Sequence, residues 1–406
     1  MAGRTVLVLG GGVGGLVTAN ELRHRLEPSD RVIVIERERR HLFQPSLLWL
    51  MVGRRRTEAI SRPMRSMLLP GVEWMQATIL AVDPVARSVE TSAGQIRGDA
   101  LLLALGAELA PEALDGFTGS AHNIYSAAGA ADIAGALDSF RGGRLVLVVG
   151  GLPYKCPAAP YEAALLIDDE LRRRGIRGAA EIDVYTPEPQ PMPVAGAALG
   201  EAVVGLLEAR GIGFHPERPV ARVEPEAREI VLADGARVAF DVLAGVPPHR
   251  PPTALRGSAL VNEAGWVAVD RQTLQTRFDG VYAVGDATAV ALANGKPLPK
   301  AGVFAHAEAL VAARRLAAGL GRSASDAVFD GQGYCWLETG GGKAGFAVGD
   351  FFAEPDPLVA LRRPRRVWHA GKALFERYWL SRGLERRLSA AALTAGARLL
   401  RMPSAL

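Results

Sequence analysis

The stretch TVLVLGGGVGGLVTANELRHR, residues 5–25, followed by RVIVIE, residues 31–36, decides the fold. Residues 5–9 form a short unbroken apolar run, as a strand buried on both faces requires. Gly10, Gly12 and Gly15 then supply the G-x-G-x-x-G spacing ahead of a helical run over residues 16–25. The first glycine permits a tight turn, the second lets a pyrophosphate approach the backbone, and the third lets the helix pack close to the strand. The next strand, residues 31–35, ends at Glu36, where a carboxylate suits the hydroxyls of a ribose. Strand, turn, helix, strand and terminal acid in register predict a Rossmann-like dinucleotide-binding unit at the start of the chain.

The 406 residues, 49% hydrophobic and 22% charged with 46 Gly, suffice for two or three globular units and exclude a disordered or fibrous class. Uncharged runs such as residues 145–154 and 189–200 fall short of the roughly 18 apolar residues a spanning helix needs. Met1 leads directly into the first strand with no signal-peptide pattern, so a cytoplasmic location is expected. Two cysteines, Cys156 and Cys335, are too few to staple a chain of this size in a reducing compartment. If they pair, the bond is expected to be catalytic. Seven scattered histidines show no ligand spacing, and no metal site is expected.

A second strand-then-glycine opening runs over residues 144–150. Its fingerprint fails, because Leu152 and Lys155 stand where the second and third glycines belong, and the following strand, residues 182–185, ends at Thr186 instead of an acid. Pyrophosphate approach and ribose acceptor are both missing, which argues against a nicotinamide donor. The damaged turn carries Cys156 instead. The start of a helix expected over residues 160–174, with Lys155 beside the thiol, is expected to favour the thiolate. Glu162 is a candidate acid or base near Cys156, with a solvated carboxylate of that helix's first turn as the favoured reading.

Two further segments resemble flavin motifs of the two-dinucleotide-binding-domain flavoproteins. TRFDGVYAVGDA, residues 276–287, places Gly285 and Asp286 just past an apolar strand, and DALLLALGA, residues 99–107, is similar to that superfamily's linking motif, with Leu105 in place of its threonine before Gly106. The resemblance implies FAD, with Asp286 at the ribityl chain. With only two cysteines available, the FAD is expected to be non-covalent.

FQPSLLWLMVG from Phe43, YKCPAAPYE from Tyr154, PLPKAGVFAHAEA from Pro297 and GYCWLETGGGKAGFAVGDFF from Gly333 make the chain similar, over nearly its whole length, to the sulfide:quinone oxidoreductases and the flavoprotein subunit of flavocytochrome c sulfide dehydrogenase. That resemblance implies a redox disulfide between Cys156 and Cys335 over the flavin, hydrosulfide as substrate and a quinone as acceptor. A third cysteine of many quinone-linked members is absent, and Tyr125 and Ser126 occupy its region. Lys300 and Gly302, ahead of a helix expected over residues 303–316, would face negative charge on reduced flavin, with a plain surface charge weighed equally for Lys300. Pro45 and Ser46 are expected to be positional.

From Val367 the run VWHAGKALFERYWL sets Leu374, Phe375, Tyr378 and Trp379 on one side of a helix. Eleven basic side chains between Arg362 and Arg401, Lys372 among them, surround it against Glu376 and Glu385. An apolar face with basic flanks fits an anionic membrane surface, placing the protein peripherally on the inner face of the cell membrane, with no nucleic-acid partner. Phe346, Phe375, Tyr378 and Trp379 are the candidate quinone contacts. A helix docked on its own domain, or on a second copy in a homo-oligomer, is the other reading of that pattern.

The expected architecture is α/β: an FAD-binding domain split into residues 1–112 and 247–330, a degenerate second Rossmann-like domain over residues 113–246, and a C-terminal region, residues 331–406, with amphipathic helices. A type II NADH:quinone dehydrogenase and a non-catalytic FAD-binding sensor are the rival readings.

Overall fold

The computed structural model describes residues 3–400. Its first sheet has five parallel strands in the order Val281–Ala283, Ala100–Leu103, Thr5–Leu9, Arg31–Ile35 and Val72–Met75. Thr5 pairs with Arg31 and Leu9 with Ile35, so both strands deliver their C-terminal ends to one edge. Covered on both faces, the central strands are continuous apolar runs without alternation. The strand beginning at Val281 returns to this sheet after a long excursion, and the domain is therefore split in sequence.

Two glycines of the opening turn are sterically required. Gly10 adopts φ +105°, and a Cβ there would lie 2.4 Å from the Ala104 carbonyl; one on Gly15 would lie 1.9 Å from the Gly10 carbonyl. The first helix, α1 (Val13–Arg25), begins three residues earlier than the sequence suggests, with Gly14 and Gly15 buried inside its first turn. Glycine lowers helix propensity, but the first turn is where a pyrophosphate meets backbone N–H groups, and the turn must stay bare there.

A second five-stranded parallel sheet runs His122–Asn123, Val242–Val246, Gly143–Val149, Ala180–Tyr185 and Gly213–His215. Each domain carries a three-stranded antiparallel sheet, over residues 79–97 and 220–239. Between the first two central strands of the second sheet runs α2 (Ala159–Arg173), and after Lys300 comes α3 (Gly302–Gly319), which lies against α1 and receives the Thr18 hydroxyl at Ala309 O (3.4 Å).

The C-terminal region is an antiparallel sheet of Gln332–Gly340, Lys343–Asp350 and Leu358–Arg365, followed by α4 (Arg366–Leu380) and α5 (Gly383–Leu400). The helix α4 is docked. Trp379 and Leu380 are buried with Leu16, Phe43 and Met64 of the first domain, and burial of one such side chain contributes about 1.5–3 kcal/mol. Among the described residues, no helix is long and apolar enough to cross a membrane. Arg401, the last of the eleven basic positions, lies outside the described residues.

Candidate active site

The C-terminal ends of the first sheet open onto a groove of about 540 Å³, within the usual range for ligand sites. Gly10, Gly12, Glu36, Gly106, Cys156, Gly285, Asp286, Lys300 and Gly302 all line it. Gly15 is absent from the wall because its work is to seat α1 on the turn. A Cβ on Gly12 or on Gly106 (φ +69°) would meet nothing within 4 Å, so both glycines leave open space on the groove side. The Glu36 carboxylate accepts the Gly11 N–H (2.6 Å) and the Glu38 N–H (2.8 Å), which fixes it at the strand end where a ribose is expected. A bare glycine turn, a helix N-terminus and a fixed carboxylate in one groove fit a dinucleotide.

At the other end of the groove, Asp286 sits in the one-turn helix Gly285–Ala287, and burial raises its carboxyl pKa against the opposing pull of Lys155 and Lys300. Lys300 is buried, which removes the surface-charge reading. Its Nζ donates to Asp286 O (2.7 Å) and Thr288 O (3.1 Å) and lies 3.5 Å over the Trp266 ring, while burial lowers its pKa to about 8. The buried Glu308 accepts the Gly285 N–H (2.6 Å), and burial raises it to about 7.

Cys156 stands at φ +50°, a left-handed conformation that a side chain seldom adopts. Three hydrogen bonds hold its turn there: Cys156 N–H to Lys300 O (2.6 Å), and the Tyr125 hydroxyl to Lys155 O (2.6 Å) and Cys156 O (3.1 Å). Cys335 comes from the strand Gln332–Gly340, with its Sγ donating to Trp336 O (3.4 Å). Both are free thiols. They lie within electrostatic reach of each other, since after burial the Cys156 sulfur is the largest influence raising Cys335. Cys156 lines the groove, whereas Cys335 is not part of its wall.

The expected thiolate at Cys156 is corrected. Burial, then the Glu162 carboxylate, pushes this thiol up to about 12, with Lys372 and Lys155 only partly opposing them. A helix terminus contributes about 0.3–1 kcal/mol, less than one pKa unit, whereas desolvation of a buried group shifts it by up to roughly 3–5 units. Glu162 is also not solvated. It is 2% exposed, and its Oε1 accepts Lys372 Nζ (3.0 Å) and the Glu338 N–H (2.8 Å). Lys372 therefore leaves the basic flank assigned to it and enters a buried ion pair.

The rest of α4 is tied down in the same way. Glu376 accepts the Ser46 hydroxyl (2.5 Å) and a bidentate contact from Arg55, which gives Ser46 its positional role. Trp379 Nε1 donates to His41 Nε2 (2.9 Å), and His41 Nδ1 bonds Gly11 O (3.1 Å) at the glycine turn. Burial lowers His41 to about 4, so it is neutral, with its proton assigned to Nδ1 by these partners. Leu374, Phe375, Tyr378 and Trp379 do not share a free face. Trp379 is buried, Phe375 is half-buried against Phe43 and Trp336, and Tyr378 lies beside Phe375. Phe346 is fully buried, stacked on Trp368 (5.0 Å), and does not line the groove.

The damaged second turn is filled from within. Tyr154 and Tyr161 hydroxyls donate to Glu188 (2.8 and 2.6 Å), as does Thr186 (3.2 Å), so the acid three residues past the strand end is turned inward and buried.

Sequence reasoning missed Lys372, Glu338, His369, His41, Glu188 and Glu308. For the partners of Glu162 one signal existed: the run AALLI after it predicts a helix buried all round, and its first-turn acid cannot then be solvated.

The model of the pyridine nucleotide-disulphide oxidoreductase family matches residues 4–309. The mitochondrial sulfide:quinone oxidoreductase of Mus musculus is 28% identical over 366 residues, 86% of this chain and 79% of that protein. The sulfide-quinone reductase of Aquifex aeolicus is 28% identical over 396 residues, 92% of this chain and 90% of that protein. The X-ray structure of the sulfide:quinone oxidoreductase from Aquifex aeolicus superposes with a TM-score of 0.84 at 24% identity, covering 98% of this chain and 95% of that one. That likeness establishes the two-domain α/β fold.

Proposed function

Because the chain belongs to the pyridine nucleotide-disulphide oxidoreductase family, we propose that it is an FAD-dependent oxidoreductase that takes electrons from hydrosulfide through Cys156 and Cys335 and passes them to a membrane quinone. One observation carries this reading: Cys156 lines the dinucleotide groove, and the strand that carries Cys335 is bonded to the helix that follows Cys156, through the Glu338 N–H and Glu162 Oε1 (2.8 Å).

Non-covalent FAD would be held by Gly10 and Gly12 at the pyrophosphate, with Gly15 seating α1 on the turn behind them, by Glu36 at the ribose, and by Gly106, Gly285, Asp286, Lys300 and Gly302 around the rest of the groove. The chemistry a bound FAD supplies there is two-electron acceptance. Lys300 and the N-terminus of α3 place positive charge where the reduced cofactor would be negative.

In the oxidised protein, hydrosulfide attacks the Cys156–Cys335 bond. One sulfur becomes a persulfide, and the other leaves as a thiolate. Cys156, on the groove wall, is the sulfur beside the cofactor, and Cys335 is its partner from behind. Lys372 stabilises the thiolate, and Glu162 is the nearby acid or base. A second hydrosulfide or a small thiol attacks the outer persulfide sulfur and carries it away as polysulfide or a persulfide, which leaves both cysteines as thiols; closing them again to the disulfide releases two electrons, the pair that a bound FAD would accept.

The quinone approaches along α4, where Phe375 and Tyr378 are half-buried, Trp379 packs on Phe375, and Phe346 lies behind Trp336. Membrane contact falls to α5 instead of the docked α4. Leu384, Leu388 and Leu399 are 71%, 62% and 84% exposed at helical spacing, with exposed Arg382, Arg387 and Arg398 beside them. That pattern suits an anionic leaflet and a peripheral position on the inner face of the cell membrane.

Steady-state assays of the holoprotein with a soluble quinone test the reading. Quinone reduction driven by sulfide and not by NADH is the expected outcome. NADH-driven reduction with no response to sulfide would replace this reading with a type II NADH dehydrogenase.

A further inference from the structure

The strand that carries Cys335 is the edge of its sheet, so part of its backbone has no partner strand. The helix α2, which follows Cys156, reaches that edge at three points. Glu162 Oε1 accepts the Glu338 N–H (2.8 Å), and Asp169 Oδ1 accepts the Gly341 N–H (2.7 Å) in the hairpin turn. Between them the fully buried Asp168 accepts Arg210 Nη1 (2.7 Å), and Arg210 Nη2 donates to Thr339 O (2.6 Å), at the residue where the pairing with Lys343–Asp350 shifts register. Gly340 stands at φ +75°, and a Cβ there would lie 2.5 Å from Asp169 Cβ, so the turn is bare where the helix meets it.

The contact points are matched in length. From Glu162 to Asp169 a helix advances about 10.5 Å, and from Glu338 to Gly341 an extended chain advances about 10 Å, so helix and strand run side by side in the same direction. The same steps taken backwards cover about 10 Å along the strand to Cys335 and, at helical rise, about 9 Å to Cys156. The Ala159 N–H donates to Cys156 O (2.9 Å), so the chain is already coiled there. The two contacts thus bring the two cysteines level.

Resting on the cysteine-pair reading above, we propose that α2 clamps the Cys335 hairpin, with Asp169 and Arg210 as positioning residues that hold Cys335 level with Cys156 and so set the potential of their disulfide. Neither side chain lines the groove. In the clamped protein the hairpin is already ordered while both thiols are free, and closing the bond restricts it little further. An unclamped hairpin gains freedom in the dithiol that the disulfide must remove. The effective concentration of one thiol at the other then falls, and the disulfide becomes easier to reduce.

The test equilibrates holoprotein anaerobically, without sulfide or quinone, in buffers of reduced and oxidised dithiothreitol. Two protein thiols close to one disulfide as the reagent's S–S bond is reduced to two thiols, which take both protons and both electrons. Acid quenching and a count of alkylated thiols by mass then read the potential. Asp169→Ala and Arg210→Met should each weaken closure about tenfold, a potential about 30 mV less negative for a two-electron couple. Either variant serves if the other does not fold. Asp169→Asn keeps an oxygen for the Gly341 N–H while losing the charge that pairs with Arg54, and should stay at the parent's potential. Glu170→Gln, on the same helix but paired with Arg173, should stay there too. Parental potentials in both clamp variants, with the disulfide formed, would overturn the clamp alone, and so would an equal shift in either control. Two alkylated thiols in the parent in every buffer would overturn the cysteine pairing and the clamp with it.

Discussion

Replacing Lys372 by Met isolates a charge whose cost can be worked from the structure. The ammonium lies 3.0 Å from Glu162 Oε1, and the two side chains are 6% and 2% exposed. At an effective dielectric near 20 the attraction at that distance is about 5 kcal/mol, and removing one partner of a buried pair costs about 3–5 kcal/mol because the other charge is stranded. The stranded group is Glu162, whose pKa burial already raises. A carboxyl raised above its unfolded value stabilises the fold while protonated and loses that contribution as pH rises through its folded pKa. The penalty of Lys372→Met should therefore be smaller near pH 5 than near pH 8. Urea unfolding of the holoprotein at both pH values reads it. Glu162→Gln added to Lys372→Met should recover most of the loss, since two neutral groups strand nothing. A single variant as stable as the parent, or a penalty independent of pH, would refute the ion pair.

Three further outcomes are expected. At φ +50°, Cys156→Gly should be more stable than Cys156→Ala by about 1 kcal/mol in thermal unfolding, and equal stability would contradict the left-handed turn. With Cys156 pushed up to about 12, alkylation of reduced holoprotein should rise about tenfold per pH unit from neutrality to about pH 10, whereas a plateau near neutrality would mean a stabilised thiolate. Leu384→Asp with Leu388→Asp should abolish flotation with anionic vesicles while sparing turnover with a soluble quinone; undiminished flotation would move the membrane contact away from α5.

The opening unit was legible because its constraints are local. The apolar runs ending at Leu9 and Ile35 are strands because both sheet faces are covered, and Gly15 is fixed by the Gly10 carbonyl within the same turn, although Gly10 also answers to the Ala104 carbonyl beyond a neighbouring strand. The failed copy at Gly150 was legible for the same reason. Pairs made by distant segments were not. Glu162 and Lys372 meet across 210 positions and Trp379 and His41 across 338, and no spacing rule reports such meetings. The amphipathic pattern of residues 367–380 was read correctly as a pattern, but a membrane and a neighbouring domain place the same demand on a helix. The structure decided for the domain, through Leu16, Phe43 and Met64. The thiolate at Cys156 failed as an expectation because proximity to a helix start and a lysine is visible in sequence, whereas burial and the facing carboxylate are not.

The central claim is that Cys156 and Cys335 together deliver electrons from sulfide to FAD. Anaerobic stopped-flow mixing of holoprotein with sulfide, following the flavin absorbance, tests it in one turnover. The parent's flavin should bleach, and Cys335→Ser, which keeps Cys156 on the groove wall but has no disulfide to attack, should bleach at least about a hundredfold more slowly. Bleaching of Cys335→Ser at the parent's rate would contradict the account.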